Sequence, residues 1–156
     1  MFLSACQKPL VKPKVDIEAE EAAVSNLVDS IITAIENQDA DKMLSYFSDD
    51  VLVVGTDAGE FFNKQEITEI WKQVLEQPFD YEFVGESEIK VAPDGKSAFV
   101  LLEISRPEFP VEIQYRFDYH MVKENGKWLA YTLTTSWIVK DEALPTFFEA
   151  FKELPK

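Results

Sequence analysis

Cysteine and histidine each occur once in the 156 residues. With Cys6 alone, an internal disulfide and a thiolate zinc site are excluded. With His120 alone, a multi-histidine metal centre within one chain is excluded as well. Cations are scarce: 15 Lys and Arg face 29 Asp and Glu, for a net charge of −14 and a pI near 4.4. Such a surface repels phosphate backbones, which argues against a nucleic-acid partner. It also argues against docking on an anionic bilayer through a basic face. No EF-hand loop gathers the carboxylates, so they read as a solubilising surface, and neither metal nor cofactor is expected. No apolar run is long enough to span a bilayer. Repeats and low-complexity runs are absent.

Hydrophobic residues make up 46% of the chain, enough for a packed core in a length that suits one domain. The expected division is 1–15 as the remnant of a lipoprotein signal and its tether, and 16–156 as a single domain. Leu3-Ser4-Ala5-Cys6 resembles a lipobox, the motif before the cysteine that is lipidated in bacterial lipoproteins. A small residue before the cleavage point suits a signal peptidase. Gln7–Val15 carries two prolines and three lysines without periodicity and reads as an extended tether. The resemblance implies lipidation of Cys6 and a place in the cell envelope, at the periplasmic face or cell surface, with the membrane met through the lipid alone.

Apolar spacing predicts a helix from Asp16 to about Asn37, through Ile17, Val24, Leu27, Val28, Ile31, Ile32 and Ile35. A short helix follows over Ala40–Tyr46, with Asp39 as its N-cap. Val51–Val54 reads as a strand. A third helix, Lys64–Gln77, starts from an Asn63/Glu66 capping pair and stops at Pro78. Phe79–Val91 alternates as a strand, with Gly85 marking a bulge or bend. Strands are predicted over Ser97–Ser105, Val111–Lys123 and Lys127–Val139, the last two joined by the hairpin signal Asn125-Gly126. A final amphipathic helix covers about Leu144–Leu154. Helices segregated from an antiparallel sheet make an α+β layer.

This order resembles the NTF2-like superfamily, in which a curved antiparallel sheet wraps around three N-terminal helices to form a cone, here with an added C-terminal helix. Gly55-Thr56-Asp57-Ala58-Gly59-Glu60-Phe61-Phe62 looks like the segment between first strand and third helix in the SnoaL-like branch. Arg116-x-Asp118 through Gly126-Lys127-Trp128 to Ser136 resembles that branch's final hairpin. The common pattern there has Thr where Asp118 stands and His where Thr134 stands. The likeness covers roughly residues 17–138.

The strand Val111–Val122 has two unlike rows. Odd positions give Val111, Ile113, Tyr115, Phe117, Tyr119 and Met121; even positions give Glu112, Gln114, Arg116, Asp118, His120 and Val122. In one reading the apolar row enters the core and the charges face water. In the other, implied by the resemblance, Arg116 and Asp118 lie inside the cone beside Thr132, Thr134 and Ser136, with Asp57 and Glu60 at its mouth. Three functions stay open. The first is a binding module for a small molecule or protein, using Glu60, Asp57, Arg116, Asp118, Thr134 and Ser136. The second is a cofactor-free acid–base enzyme (isomerase, cyclase or dehydratase), with Asp118 as base and His120 as a second candidate. The fold hosts such chemistry in ketosteroid isomerase, where an apolar site tunes the carboxyl groups. The third is an interaction protein that forms a homodimer through the outer face of the sheet.

Overall fold

Helix α1 (Ile17–Glu36) starts where the Asp16 carboxylate accepts the Ala19 amide at 3.2 Å. The computed structural model describes residues 15–108 and 113–152. Cys6, most of the expected tether, Pro110, Val111, Glu112, the Phe151 side chain and Leu154 lie outside the described residues. One stripe of α1 buries Val24, Val28, Ile31 and Ala34, as the three- and four-residue spacing predicts. Helix α2 (Ala40–Leu44) is capped by Asp39, which accepts the Lys42 amide at 2.8 Å, and it delivers Met43 and Leu44 to the core.

Strand β1 (Phe47–Val54) begins at Phe47, earlier than the expected Val51. Tertiary contacts explain the added residues. Phe47 and Ser48 are buried, Ser48 Oγ donates to Glu124 at 2.8 Å, and Lys64 Nζ donates to the Phe47 carbonyl at 2.5 Å. A two-residue strand, β2 (Phe61–Phe62), returns antiparallel along β1. Helix α3 (Lys64–Val74) opens with the expected capping box. Asn63 accepts the Gln65 and Glu66 amides, and Glu66 accepts the Asn63 amide at 2.9 Å. Its helical span ends at Val74, earlier than the expected Gln77.

The segment expected as one strand over Phe79–Val91 is two, β3 (Glu82–Phe83) and β4 (Glu88–Val91), both paired with β5 (Ser97–Ser105). Gly85, with a φ of 79°, lies in the break between them. Strands β6 (Ile113–Glu124) and β7 (Lys127–Val139) are joined by Asn125 and Gly126. Both have positive φ, 49° and 80°, as a two-residue type I′ turn needs. The sheet order is β2-β1-β7-β6-β5-β3, with β4 also on β5. Only the β1–β7 pairing is parallel among the described strands. The mixed α+β architecture, with a curved unclosed sheet, N-terminal helices and a C-terminal helix, matches the expected class.

The odd row of β6 faces the helices. Tyr119 and Met121 join Val100, Ala98, Leu102, Ala130 and Leu133 in a core shared with the buried stripe of α1, and Phe117 packs against it. Between the His120–Thr132 and Met121–Ala130 pairs, β7 carries one extra residue, Tyr131. This bulge changes which residues of β7 face inward. Before it Trp128 and Ala130 are buried; after it Leu133 is. A half-buried cluster ties α1 to the hairpin: Glu20 accepts from Lys123 Nζ at 2.6 Å and from Trp128 Nε1 at 2.9 Å. After a 3-10 turn at Asp141–Ala143, helix α4 (Leu144–Lys152) flanks a cleft that Ile113 and Val139 line from the sheet, with Phe147 opposite.

Candidate functional site

The layer between α1, α3 and the inner face of the sheet is not filled to its rim. A groove of about 320 Å³ opens between Val74, Trp71 and Ile70 of α3 and Tyr115, Phe117 and Leu133 of the sheet. It shares Trp71, Phe79 and Phe117 with a deeper pit of about 30 Å³, walled by Val28, Ile31, Ile32 and Ile35 of α1 and by Leu102, Ile104 and Tyr119 of the sheet. Apolar side chains near the opening remain exposed: Val74 at 38% and Phe83 at 45%.

Aromatic rings shape both spaces. The Trp71, Phe79, Tyr81 and Phe83 rings follow one another with centroids 5.8, 5.7 and 5.3 Å apart. Across the groove, Tyr115 packs on Trp137 at 4.1 Å and stacks with Phe117 at 6.2 Å. The few polar groups divide between rim and floor. At the rim, Arg106 lies 4.3 Å above the Phe79 ring and pairs with Glu108. Glu60 Oε2 accepts the Asp57 amide at 2.9 Å and folds over Gly55, where an added Cβ would sit 2.1 Å from that oxygen. Thr135 Oγ1 donates to the Val54 carbonyl at 3.1 Å.

On the floor, the Tyr81 hydroxyl is shielded from solvent and has no hydrogen-bond partner among the described residues. Burial pushes its phenol above the ordinary tyrosine range, and the Glu36 charge adds to this. Burial raises the Tyr119 phenol further, with Tyr81 contributing. Burial raises Tyr115 too, opposed by Arg106 and assisted by Glu108 and Glu60. All three are therefore neutral hydroxyls near neutral pH.

Of the residues singled out from sequence, Glu60 lines the groove. Asp57 does not; it stays in the exposed loop, where its carboxylate accepts the Ala58 amide at 2.7 Å. Of the two readings of the Val111–Val122 strand, the structure has the apolar row in the core, which leaves Arg116, Asp118, Thr134 and Ser136 outside the cone. They occupy the outer face with His120, as the pairs Arg116–Ser136 and Asp118–Thr134. The physical reason is the opposite row, since Phe117, Tyr119 and Met121 bury far more apolar surface against α1 than the even row could. Arg116 is committed to Glu103, with Nη2 2.8 Å and Nε 3.1 Å from Oε1. Asp118 Oδ1 is shielded and has no hydrogen-bond partner among the described residues; desolvation raises its carboxyl, opposed by Arg116 and reinforced by Glu103. His120 is exposed and meets Tyr131 edge to face at 6.0 Å. A base reaching into the cone from Asp118 has no geometry here.

Tyr81, Arg106, Tyr115 and Thr135 line the cavity and were not singled out from sequence. The signal for Tyr81 is a single hydroxyl in the alternating row Phe79, Tyr81, Phe83. Among the described residues no three His, Cys, Asp or Glu gather as a metal site, and no helix is long and apolar enough to cross a membrane.

Solved structures share this architecture. A domain of unknown function with a cystatin-like fold from Nostoc punctiforme PCC 73102 superposes with a TM-score of 0.67 at 17% identity, covering 88% of each chain. An NTF2-like protein of unknown function from Pseudomonas putida KT2440 gives 0.62 at 16% identity, over 76% of this chain and 87% of that one. A ketosteroid isomerase-like protein from Erwinia carotovora atroseptica SCRI1043 gives 0.59 at 22% identity, over 78% and 98%. At such identities the likeness shows the fold alone. No curated protein matches the sequence. Residues 24–139 match the SnoaL-like domain model, and the chain belongs to that family.

Proposed function

We propose that this SnoaL-like domain is a binding module whose cone takes up a small, largely apolar molecule. The observation that carries this reading is the groove running into the pit, walled by aliphatic and aromatic side chains with its polar groups at a few points. Concave, mainly apolar spaces of a few hundred Å³ with sparse polar groups are the usual form of small-molecule sites. The test uses the neutral dye Nile red. Saturable, blue-shifted fluorescence is expected with the wild type. It is expected to disappear in Ile32→Trp, which fills the pit, with circular dichroism unchanged. Absence of saturable binding by the wild type, or equal binding by the filled variant, removes the proposal.

The proposed setting is the cell envelope, with a lipidated Cys6 and the Pro- and Lys-containing segment behind it as anchor and tether. A clickable palmitate analogue fed to cells expressing the protein from its native locus is expected to label the wild type and not Cys6→Ser.

A second reading, homodimerisation through the outer sheet face, draws support from Leu52, Phe99 and Tyr131, exposed at 44%, 47% and 40%. Light scattering showing a monomer at high micromolar concentration counts against it.

A further inference from the structure

We propose that the cone selects an uncharged, mostly apolar molecule bearing one hydrogen-bond acceptor, and that the Tyr81 hydroxyl holds that acceptor. The inference rests on reading the cone as a ligand pocket and goes on to specify the ligand's chemistry. Its starting point is an imbalance. Tyr81 lines the pit and its hydroxyl is shut away from solvent, yet no described residue accepts its proton in a hydrogen bond. A buried donor left unpaired retains its full desolvation penalty, so native structures pair nearly all of them. The ring contacts Phe79 on one side and Phe83 on the other, which disfavours swinging the hydroxyl out. Nor does α1 supply an acceptor, since it meets the pit with Val28, Ile31, Ile32 and Ile35.

A water molecule is a displaceable partner. The pit of about 30 Å³ has room for one, and a buried water needs two to four polar contacts. Among the described residues the side chains walling the pit offer three polar groups at most, the Tyr81 and Tyr119 hydroxyls and the Trp71 indole N–H, amid nine apolar side chains. A ligand that displaces such a water and keeps its bond to Tyr81 loses little.

The charge of the ligand follows from what surrounds the hydroxyl. Among the described residues no Lys, Arg or His walls the pit. The Glu36 carboxylate already acts on Tyr81, and the whole chain carries −14. The Arg106 guanidinium belongs to the rim, paired with Glu108 over the Phe79 ring. An anionic head on the floor would lose its hydration without a countercharge. A carbonyl or ether oxygen loses far less and accepts a phenol proton well.

Three probes of similar size separate these chemistries: acetophenone, ethylbenzene and benzoate, titrated into the wild type and Tyr81→Phe by ¹H–¹⁵N NMR. In the wild type the ketone is expected to bind about 5- to 10-fold more tightly than the hydrocarbon, the worth of one neutral buried hydrogen bond, with benzoate weakest. Tyr81→Phe is expected to weaken the ketone to the hydrocarbon's level and leave the hydrocarbon unchanged. Carbonyl-labelled ¹³C-acetophenone gives a second readout independent of any variant's folding, a downfield shift on binding the wild type. Equal affinity of ketone and hydrocarbon in the wild type, a gap that survives Tyr81→Phe, or an unshifted bound carbonyl overturns the inference. In those cases the apolar pocket still stands. If no probe perturbs the amides around the pit, the pocket reading falls with it.

Discussion

The two faces of the central hairpin carry opposite chemistry on the same residues' backbone. The inner face of β6 sets Phe117, Tyr119 and Met121 against α1, and its polar content is phenolic and uncharged. The outer face sets Arg116, Asp118 and His120 beside Glu103, Thr134 and Ser136. Outside, Arg116 pairs with Glu103, while one Asp118 oxygen is shielded from solvent with no hydrogen-bond partner among the described residues. Inside, hydroxyls replace charges because an unpaired ion there would cost far more than an unpaired phenol. The comparison teaches where specificity can reside: shape and one donor inside, charge outside.

The largest expected effect comes from breaking the inner face. Met121 is fully buried, and Met121→Ala is expected to cost about 3 kcal/mol in urea unfolding. Phe99→Ala, outside and 47% exposed, is expected to stay within about 0.5 kcal/mol for the monomer. A larger loss at Phe99 that grows with protein concentration would show that the outer face is covered in solution. An intermediate effect is expected at the seam between α1 and the hairpin. Glu20→Gln weakens the bonds from Lys123 and Trp128, for about 1 kcal/mol after solvent screening. The Lys123 and Trp128 hydrogen bonds depress the Glu20 carboxyl, so its contribution is present above the ordinary glutamate range and lost as pH falls through the lowered value. Wild type and variant should therefore converge in acid. The smallest effect is expected at Asp118. Its raised carboxyl favours the fold when protonated, and that contribution is lost as pH rises through the raised value. Asp118→Asn is thus expected to unfold slightly later than wild type at neutral pH and together with it in acid. A neutral-pH loss of stability would mean that the carboxylate has a partner.

Much of the fold is legible because its signals are local. Asp39, the Asn63–Glu66 box and Asn125-Gly126 each act within four residues, and each sits where the sequence puts it. The start of β1 is not local: Ser48 is held by Glu124 and Phe47 by Lys64. The site was harder to read for a related reason. Alternation shows that Arg116, Asp118, Thr134 and Ser136 share a face, and they do. It does not say which face meets α1, because an aromatic row and a polar row can each line a cavity. The family likeness pointed inward, and the burial of Tyr119 and Met121 decided otherwise. Tyr81 was hidden because a tyrosine among phenylalanines looks like ordinary core until its hydroxyl is seen to lack a partner.

The extra residue at Tyr131 has a consequence for how such a gene can change. Loss of its one codon would leave Ala130, Thr132 and Leu133 opposite Met121, His120 and Tyr119, so the rows of β7 would keep their faces while the local bend of the bulge disappeared. A residue inserted between Thr132 and Leu133 without a second bulge would instead exchange the rows beyond it, turning Leu133 outward and Thr134 into the cone. The bulge is thus the place where this strand can lose a residue without rewriting the cavity wall.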